Sequence, residues 1–237
     1  YIDEIRIPKG FWKYRDPGKW ISKNNNFKNN PITYVTKIGV LQQHLINQAI
    51  LNIQEGKINA SLIVGGESRY KMIQAIKDNK EYKETALNQN PDFYVKADAD
   101  LNLDEEVKEL SKMAVGYYAI MESAYRFSKN EKLLDHNKKI AKLYEEFSEI
   151  AHKNKNGWSK QKYFAEDIIK PSDKNKYQAF PYNKLHCTSW NVNQASAIII
   201  CNENIADKLG IPREQRVYPL ASSENNHMIS LIQRENI

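Results

Sequence analysis

The sequence lacks several features that would assign it to a membrane or secreted class. No apolar run approaches the roughly 18 to 20 residues that span a bilayer, so we expect no transmembrane helix. The opening residues, YIDEIRI, lack the basic-then-apolar layout of a secretory signal. The two cysteines, Cys187 and Cys201, form no disulfide framework and are typical of a reducing compartment. Together these absences predict a cytoplasmic protein with no membrane partner.

Recognised motifs for metals and nucleotides are also missing. Neither a GxGxxG nor a GxxxxGK pattern is present, which argues against a nucleotide-phosphate site of either kind. The residues with metal-ligating side chains lack any standard ligand spacing, so no metal site is predicted. They are His186, Cys187, Cys201 and His227.

The charge of the chain does not indicate nucleic-acid binding. The formal net charge is +6 and the pI is about 9.0, but most lysines alternate with acidic residues. This pattern is typical of a solvated surface. A basic nucleic-acid binder is therefore an alternative that rests on charge alone, and no nucleic-acid partner is predicted. The 41% hydrophobic content is that of a globular protein.

Hydrophobic periodicity predicts alternating strands and helices in the first 66 residues. YIDEIRI and PITYVTK have strand-like composition, and the aromatic segment GFWKYRDPGKWI separates them. Residues 40–55 place Leu41, Leu45, Ala49 and Ile53 on one helical stripe that ends at Gly56. ASLIVGG follows as a buried strand, so a β-α-β crossover with neighbouring parallel strands is expected.

The pattern becomes helical over residues 67–178, where no strand is predicted. Residues 98–129 indicate two helices, with Asp104 as an N-cap, and KIAKLYEEFSEIA indicates an amphipathic helix packed on its own protein. ASAIIICN then predicts another buried strand. We expect an α/β fold made of a mixed sheet with packed helices and a large helical insertion. The expected segments are 1–66, 67–178 and 179–237.

The stretch VGGES ends the strand that begins at Ala60, and three interpretations are open. Gly65 and Gly66 could let the chain turn sharply where a side chain would crowd an adjacent loop. The stretch could also be a plain strand-terminating turn, or a phosphate cradle, although no phosphate-binding pattern follows it. The order of the other motifs along the chain, given next, favours the interpretation as a sharp turn.

The ordered motifs resemble the N-terminal half of the thiolase superfamily. The similarity is closest to the acetyl-CoA acetyltransferase-like branch related to the sterol carrier protein thiolases. It rests on KGFWKYRDPG, on the Gly65-Gly66-Glu67-Ser68 turn, on AFPYNKL and on NQASAIIICNENIADKLGI. The resemblance covers nearly the whole chain and implies a thiolase-like fold whose helical insertion is the family's loop domain. The chain resembles an incomplete thiolase: a fragment, a truncated polypeptide or one half of a split enzyme.

The family's catalytic cysteine has no counterpart at the expected position. In thiolases this cysteine begins a helix, where the helix dipole and free N–H groups favour the thiolate. The matching position here falls at or next to Ile38 and Gly39, and neither side chain can form a thioester. Thr36 is close in sequence but has no identifiable base. His186 and Cys187 point to opposite sides of an extended segment, and Cys201 is expected in the core.

The resemblance implies two functions that the sequence leaves open. One is acyl-CoA acyl transfer in lipid metabolism, by condensation or thiolysis of a 3-oxoacyl-CoA. The other is a non-catalytic subunit that binds acyl-CoA or scaffolds a partner. In both, a coenzyme A thioester is the ligand, no tightly bound cofactor is expected, and the assembly is a homodimer or a complex with a C-terminal half or partner subunit. Met113, Tyr117 and Met121 are implied as lining of the acyl-CoA pocket.

Overall fold

The computed structural model describes residues 1–37, 42–82, 89–97, 99–100, 102–110, 113–225 and 229–236. Contacts divide the chain into a first unit, residues 1–98 with 191–226, and a second unit, residues 99–190 with 227–237. The segment boundaries at 66 and 178 stay predictions of the sequence.

The described chain contains seven strands and eight α-helices, and four of the helices follow one another. The strands are β1 (Glu4–Ile7), β2 (Ile32–Thr36), β3 (Ala60–Glu67), β4 (Phe93–Val95), β5 (Tyr177–Ala179), β6 (Tyr182–Asn183) and β7 (Gln194–Cys201). The α-helices are α1 (Pro17–Asn24), α2 (Gln42–Gln54), α3 (Arg69–Lys77), α4 (Asp104–Leu110), α5 (Ala114–Ser128), α6 (Leu133–Lys153), α7 (Ala165–Ile169) and α8 (Glu203–Lys208). Short 3₁₀ helices lie at Lys184–His186, Arg213–Gln215 and Leu231–Gln233.

The first unit contains a five-stranded mixed sheet in the order β4-β2-β1-β3-β7. The strands β1 to β4 pair in parallel, and β7 runs antiparallel to β3 over all eight residues of each strand. The expected mixed α/β architecture is confirmed. The expectation that β2 and β3 are neighbours is wrong, because β1 lies between them. The prediction that residues 67–178 contain no strand is also wrong, because β4 and the start of β5 lie there.

Each face of this sheet buries its own apolar cluster. Because side chains alternate along a strand, Ile5 and Ile7 share one face, where they pack with Val35 and Trp12. On the other face, α2 places Leu45 and Ala49 against Ile63, which confirms that part of the predicted helical stripe. Gly56 follows α2 with φ +69°, a left-handed conformation that favours glycine at a helix end.

Polar side chains fix the start of α1 against the sheet. Asp16 caps the helix, since its Oδ1 accepts from the N–H groups of Gly18 and Lys19 at 3.0 and 3.2 Å. The hydroxyl of Thr33, on β2, donates to the second carboxylate oxygen of Asp16 at 2.7 Å. The cap therefore holds the aromatic segment that precedes α1 in a fixed position over the sheet.

The second unit is mainly helical and contains the β5–β6 hairpin. His136 is buried between Glu122 and Glu131, with 2.7 Å between each ring nitrogen and a carboxylate oxygen. The Tyr182 hydroxyl donates to the other oxygen of Glu122 at 2.6 Å. These contacts connect α5, α6 and β6 within the unit.

Two details of the helical prediction change in the structure. Asp104 is the first residue of α4 and not its cap; the buried Glu106 instead accepts from the N–H of Leu103 at 3.1 Å. The amphipathic helix α6 is present and packs on α7. Tyr144 of its apolar face packs against His186 with ring centroids 5.3 Å apart, whereas Leu143, Phe147 and Ile150 are exposed, so only part of the predicted face packs on its own protein.

Candidate functional site

A pocket of about 470 Å³ lies in the first unit, where the carboxyl end of β3 meets the aromatic segment before α1. The sheet supplies its floor, and α1 and the aromatic segment supply its wall. Its residues are Ile7, Trp12, Tyr14, Pro17, Trp20, Ile21, Val64, Gly65, Gly66, Glu67, Ser68, Gln194 and Ala195. Its size and apolar character are those of a small-molecule pocket.

Trp12 is the most strongly positioned aromatic residue of the wall. Its indole N–H donates to the carbonyl oxygen of Gly66 at 2.9 Å, and its side chain is almost fully buried. The ammonium group of Lys9 lies 3.8 Å from the centre of the indole ring. Tyr14 packs beside it with ring centroids 6.0 Å apart. The sequence indicated an aromatic turn here but no site; the signals were its density of aromatic residues and its part in the family resemblance.

Gly65 and Gly66 do not turn the chain, because β3 continues through both of them to Glu67. Because they have no side chains, they instead allow neighbouring segments to pack closely against β3. A Cβ at Gly66 would lie 3.2 Å from the Cβ of Ala195, and one at Gly65 would lie 3.1 Å from Cγ of Pro8. The sharp turn predicted at these glycines is therefore wrong, whereas the crowding by a neighbouring segment is present.

Glu67 joins the end of β3 to the aromatic segment. Its Oε2 accepts from the backbone N–H of Phe11 at 2.7 Å, and its Oε1 accepts from the N–H of Ser68 at 2.8 Å. The hydroxyl of Ser68 lies 3.2 Å from that of Tyr82. Since both oxygens of the carboxylate already accept from backbone groups, the geometry favours a positioning role for Glu67 over proton transfer.

The predicted nucleophile position, Ile38 and Gly39, lies outside the described residues. Thr36 is buried, and its hydroxyl oxygen accepts from the backbone N–H of Lys9 at 3.1 Å. This contact attaches the loop after β1 to β2. The residues that line the pocket include no cysteine, so its described wall supplies a binding surface without a thiol nucleophile.

His186 and Cys187 lie in the second unit and do not form a nucleophilic pair. The Nδ1 atom of His186 accepts from the N–H of Asn183 at 3.1 Å, and the Cys187 thiol contacts the Asn183 carbonyl oxygen at 3.5 Å. Burial raises the pKa of the Cys187 thiol and lowers the pKa of the His186 imidazole. Both shifts favour the neutral forms. Cys201 is half-buried on β7, so its predicted place in the core is wrong.

Cys187 is accordingly expected to react slowly with iodoacetamide. In a Cys201→Ser variant at pH about 7.5, we expect labelling at least about threefold slower than that of N-acetylcysteine, because the thiolate is the reactive form. Mass spectrometry of timed samples measures the rate. A rate equal to that of the free amino acid or faster would contradict the neutral environment of this thiol.

The residues implied as acyl-CoA lining belong to the second unit and are not among the residues that line the pocket of the first. Met113 directly precedes α5 and is exposed, while Tyr117 and Met121 lie on α5 and are half-buried. The hydroxyl of Tyr117 is buried and has no hydrogen-bond partner among the described residues. Their role in binding acyl-CoA stays a prediction.

The described residues contain neither a metal-binding cluster nor a membrane-spanning helix. No group of three or more His, Cys, Asp or Glu side chains within them is arranged to hold a metal ion, and His227 lies outside the described ranges. Of the helices in the described parts, none has the length and apolar character needed to cross a membrane.

The fold is similar to a solved thiolase-like structure. No protein-family model and no curated protein matches the chain. The crystal structure of a monomeric SCP2-thiolase like protein type 1 from Mycobacterium smegmatis matches with a TM-score of 0.64 and 21% sequence identity. The match covers 90% of this chain and 39% of that chain, so this chain spans about two fifths of that protein's length. The expected thiolase-like fold is thereby confirmed.

Proposed function

We propose that this chain is a thiolase-like acyl-CoA-binding protein and that the acyl chain of the thioester lies in the aromatic pocket. The observation that carries this proposal is the composition of the pocket. Its wall is aromatic and aliphatic, and both oxygens of its carboxylate, Glu67, are occupied by backbone N–H groups. Such a wall favours an apolar chain over a charged ligand.

The position of the pocket supports the same proposal. In sheets with parallel strands, ligands bind beyond the carboxyl ends of the strands, and this pocket lies at the carboxyl ends of β1 and β3. The thiolase-like fold makes a coenzyme A thioester the ligand to test first. A cytoplasmic role in lipid metabolism is part of the proposal.

Calorimetry with octanoyl-CoA tests the proposal directly. We expect a dissociation constant on the order of micromolar, and binding of coenzyme A alone at least about tenfold weaker, since coenzyme A lacks the chain that fills the pocket. If octanoyl-CoA and coenzyme A bind with equal affinity, the pocket does not hold the acyl chain. If neither produces heat, the chain does not bind acyl-CoA.

Replacing Trp20 with alanine is expected to weaken octanoyl-CoA binding about tenfold, because the wall loses a large apolar ring. Trp20 is 48% exposed, so the fold should tolerate the change. Trp158→Ala is the matched control, since Trp158 is 38% exposed and lies in the second unit, outside the pocket. Calorimetry compares both variants with the parent chain. Equal losses in the two variants would contradict a specific role for the pocket.

A second candidate function is acyl transfer itself, as in condensation or thiolysis of a 3-oxoacyl-CoA. The fold likeness to an SCP2-thiolase like protein favours it, although a fold by itself does not establish an activity. Turnover of acetoacetyl-CoA by the purified chain would support this candidate and exclude a purely binding role. Binding of octanoyl-CoA without turnover would support the non-catalytic alternative.

A further inference from the structure

The strand β7 forms one edge of the sheet and has unusual properties for an edge. In the described part of the chain it pairs with β3 alone. Its sequence, QASAIIIC, contains no charge and no proline, although charged side chains and prolines are what commonly protect an edge from pairing with another chain. Ile198 is 49% exposed and Ile199 is 62% exposed. Because these two side chains point to opposite faces, apolar surface is open on both sides of the edge.

The backbone of β7 also has hydrogen-bonding groups available along this edge. Asn202, directly after the strand, donates its N–H to the carbonyl oxygen of Asn59 at 2.9 Å. In an antiparallel pair, successive residues direct their backbone groups to alternate sides. Ser196, Ile198 and Ile200 therefore face β3. The residues that direct their N–H and C=O groups away from β3 are Ala195, Ala197, Ile199 and Cys201.

The strand is complementary in size to a second copy of itself. Its first half has the short side chains Ala195, Ser196 and Ala197, and its second half has the larger Ile199, Ile200 and Cys201. A two-fold axis at Ile198 would pair the strands antiparallel, with each larger residue opposite a shorter one. The pairs would be Ala197 with Ile199, Ser196 with Ile200, and Ala195 with Cys201, and Ile198 would meet its own copy.

The two ends of β7 carry side chains of opposite charge, Arg69 near the amino end and Glu203 after the carboxyl end. At the amino end, Asn191 and Asn193 accept hydrogen bonds from Arg69 Nε at 3.3 Å and from the backbone N–H of Lys71 at 3.1 Å. At the carboxyl end, Glu203 begins α8. A two-fold axis at Ile198 places Glu203 opposite Asn193 of the other copy. In this arrangement the Arg69 side chain of one copy and the Glu203 carboxylate of the other, which accepts from the Tyr218 hydroxyl at 2.8 Å, lie at the same end of the paired strands.

We propose that the β7 edge is a self-association surface, on which a second copy of this chain pairs antiparallel about Ile198 to extend the sheet across a dimer. Such an isologous contact closes after two copies, because each β7 edge is used once. The strand β2, formed by PITYVTK, has no open edge, because it pairs with β1 on one side and with β4 over Tyr34–Thr36 on the other.

Charge substitutions at Ile198 test the proposal, because the Ile198 side chains of the two copies lie opposite each other at the two-fold axis. Sedimentation velocity over about 1 to 100 µM should show a monomer–dimer equilibrium for the parent chain. Ile198→Lys and Ile198→Glu should each weaken dimerisation at least about tenfold, since like charges then oppose each other. An equimolar mixture of the two should recover dimers to within about threefold of the parent, because opposite charges then meet. Circular dichroism checks that both variants are folded.

Cysteine crosslinking tests the register independently. In a Cys187→Ser/Cys201→Ser background, oxidation of Ile198→Cys should give a disulfide-linked dimer, because position 198 faces its own copy. Ser196→Cys is the matched control: it lies on the same face, but its partner is Ile200, so little crosslinking is expected. If sedimentation velocity shows only monomer over the whole concentration range, the proposal is overturned, and any partner of the β7 edge is a different chain. Dimers that both charge variants retain, without crosslinking at position 198, would also overturn it.

Discussion

Replacing Glu4 with alanine is expected to lower the free energy of unfolding by about 3 to 5 kcal/mol. Glu4 and Arg6 lie on the same face of the central strand β1, with only 1% and 4% of their side chains exposed. Two hydrogen bonds of 2.5 and 2.8 Å join the guanidinium to the carboxylate. Removal of Glu4 leaves the Arg6 charge buried without its partner, and this accounts for the size of the effect. Urea unfolding followed by circular dichroism measures it.

The double variant Glu4→Leu/Arg6→Met is the control for this prediction. It removes both charges and fills the site with apolar side chains of similar volume, so the free energy of unfolding should return to within about 1 kcal/mol of the parent value. Arg6→Met alone should be about as harmful as Glu4→Ala, because it leaves an unpaired carboxylate. If the single variants cost less than about 1 kcal/mol, the pair is more solvated than its burial indicates.

The strand β1 shows which structural features can be predicted from a sequence pattern and which cannot. The alternation in YIDEIRI predicts a strand and tells which residues share a face, and β1 confirms this. It does not tell what covers each face. All four residues of β1 are buried. The side-chain amide of Asn52 on α2 donates to Oε2 of Glu4 at 3.4 Å, although the two residues are 48 positions apart in the sequence. Local periodicity contains no information about such a distant element, so the burial of the polar face was missed.

The strand β4 was missed for a related reason. Three residues are too few to show a period, and the composition around them is helical and polar. Its position depends on contacts with β2: Phe93 stacks on Tyr34 with ring centroids 4.9 Å apart, and Asp92 accepts from the N–H of Thr33 at 2.9 Å. These partners are about 59 residues apart in the sequence, so only the folded chain reveals the pairing.

The candidate site was predictable in part. The residues Gly65 to Ser68 were singled out through the family resemblance, and they do line the pocket. The aromatic wall was missed, because a run of aromatic residues is equally typical of an ordinary core. The contact of Glu67 with the N–H of Phe11 spans 56 residues. Which groups this carboxylate binds, and hence its positioning role, follows only from the three-dimensional arrangement.

Replacing Gly10 with alanine is the second substitution with a large expected effect. A Cβ at this position would lie 2.3 Å from Nε1 of Trp12 and 3.0 Å from Oε2 of Glu67. The indole cannot move aside without breaking its hydrogen bond to the Gly66 carbonyl oxygen. We therefore expect a loss of about 2 to 4 kcal/mol, from overpacking together with the lost bond. We also expect at least about tenfold weaker octanoyl-CoA binding, because the displaced ring belongs to the pocket wall. Urea unfolding and calorimetry measure the two effects.

Gly210→Ala is the control that distinguishes the steric clash expected at Gly10 from the general loss of stability caused by replacing a glycine. Gly210 has φ +66° and open space where a Cβ would lie, whereas Gly10 is restricted by its neighbours. The control should lose about 1 kcal/mol through backbone strain, with octanoyl-CoA affinity unchanged. If Gly10→Ala is no more harmful than Gly210→Ala, Trp12 is free to move and the pocket wall is adaptable. If it destabilises the chain but octanoyl-CoA affinity is kept, the acyl chain binds away from Trp12, and the proposed pocket is wrong.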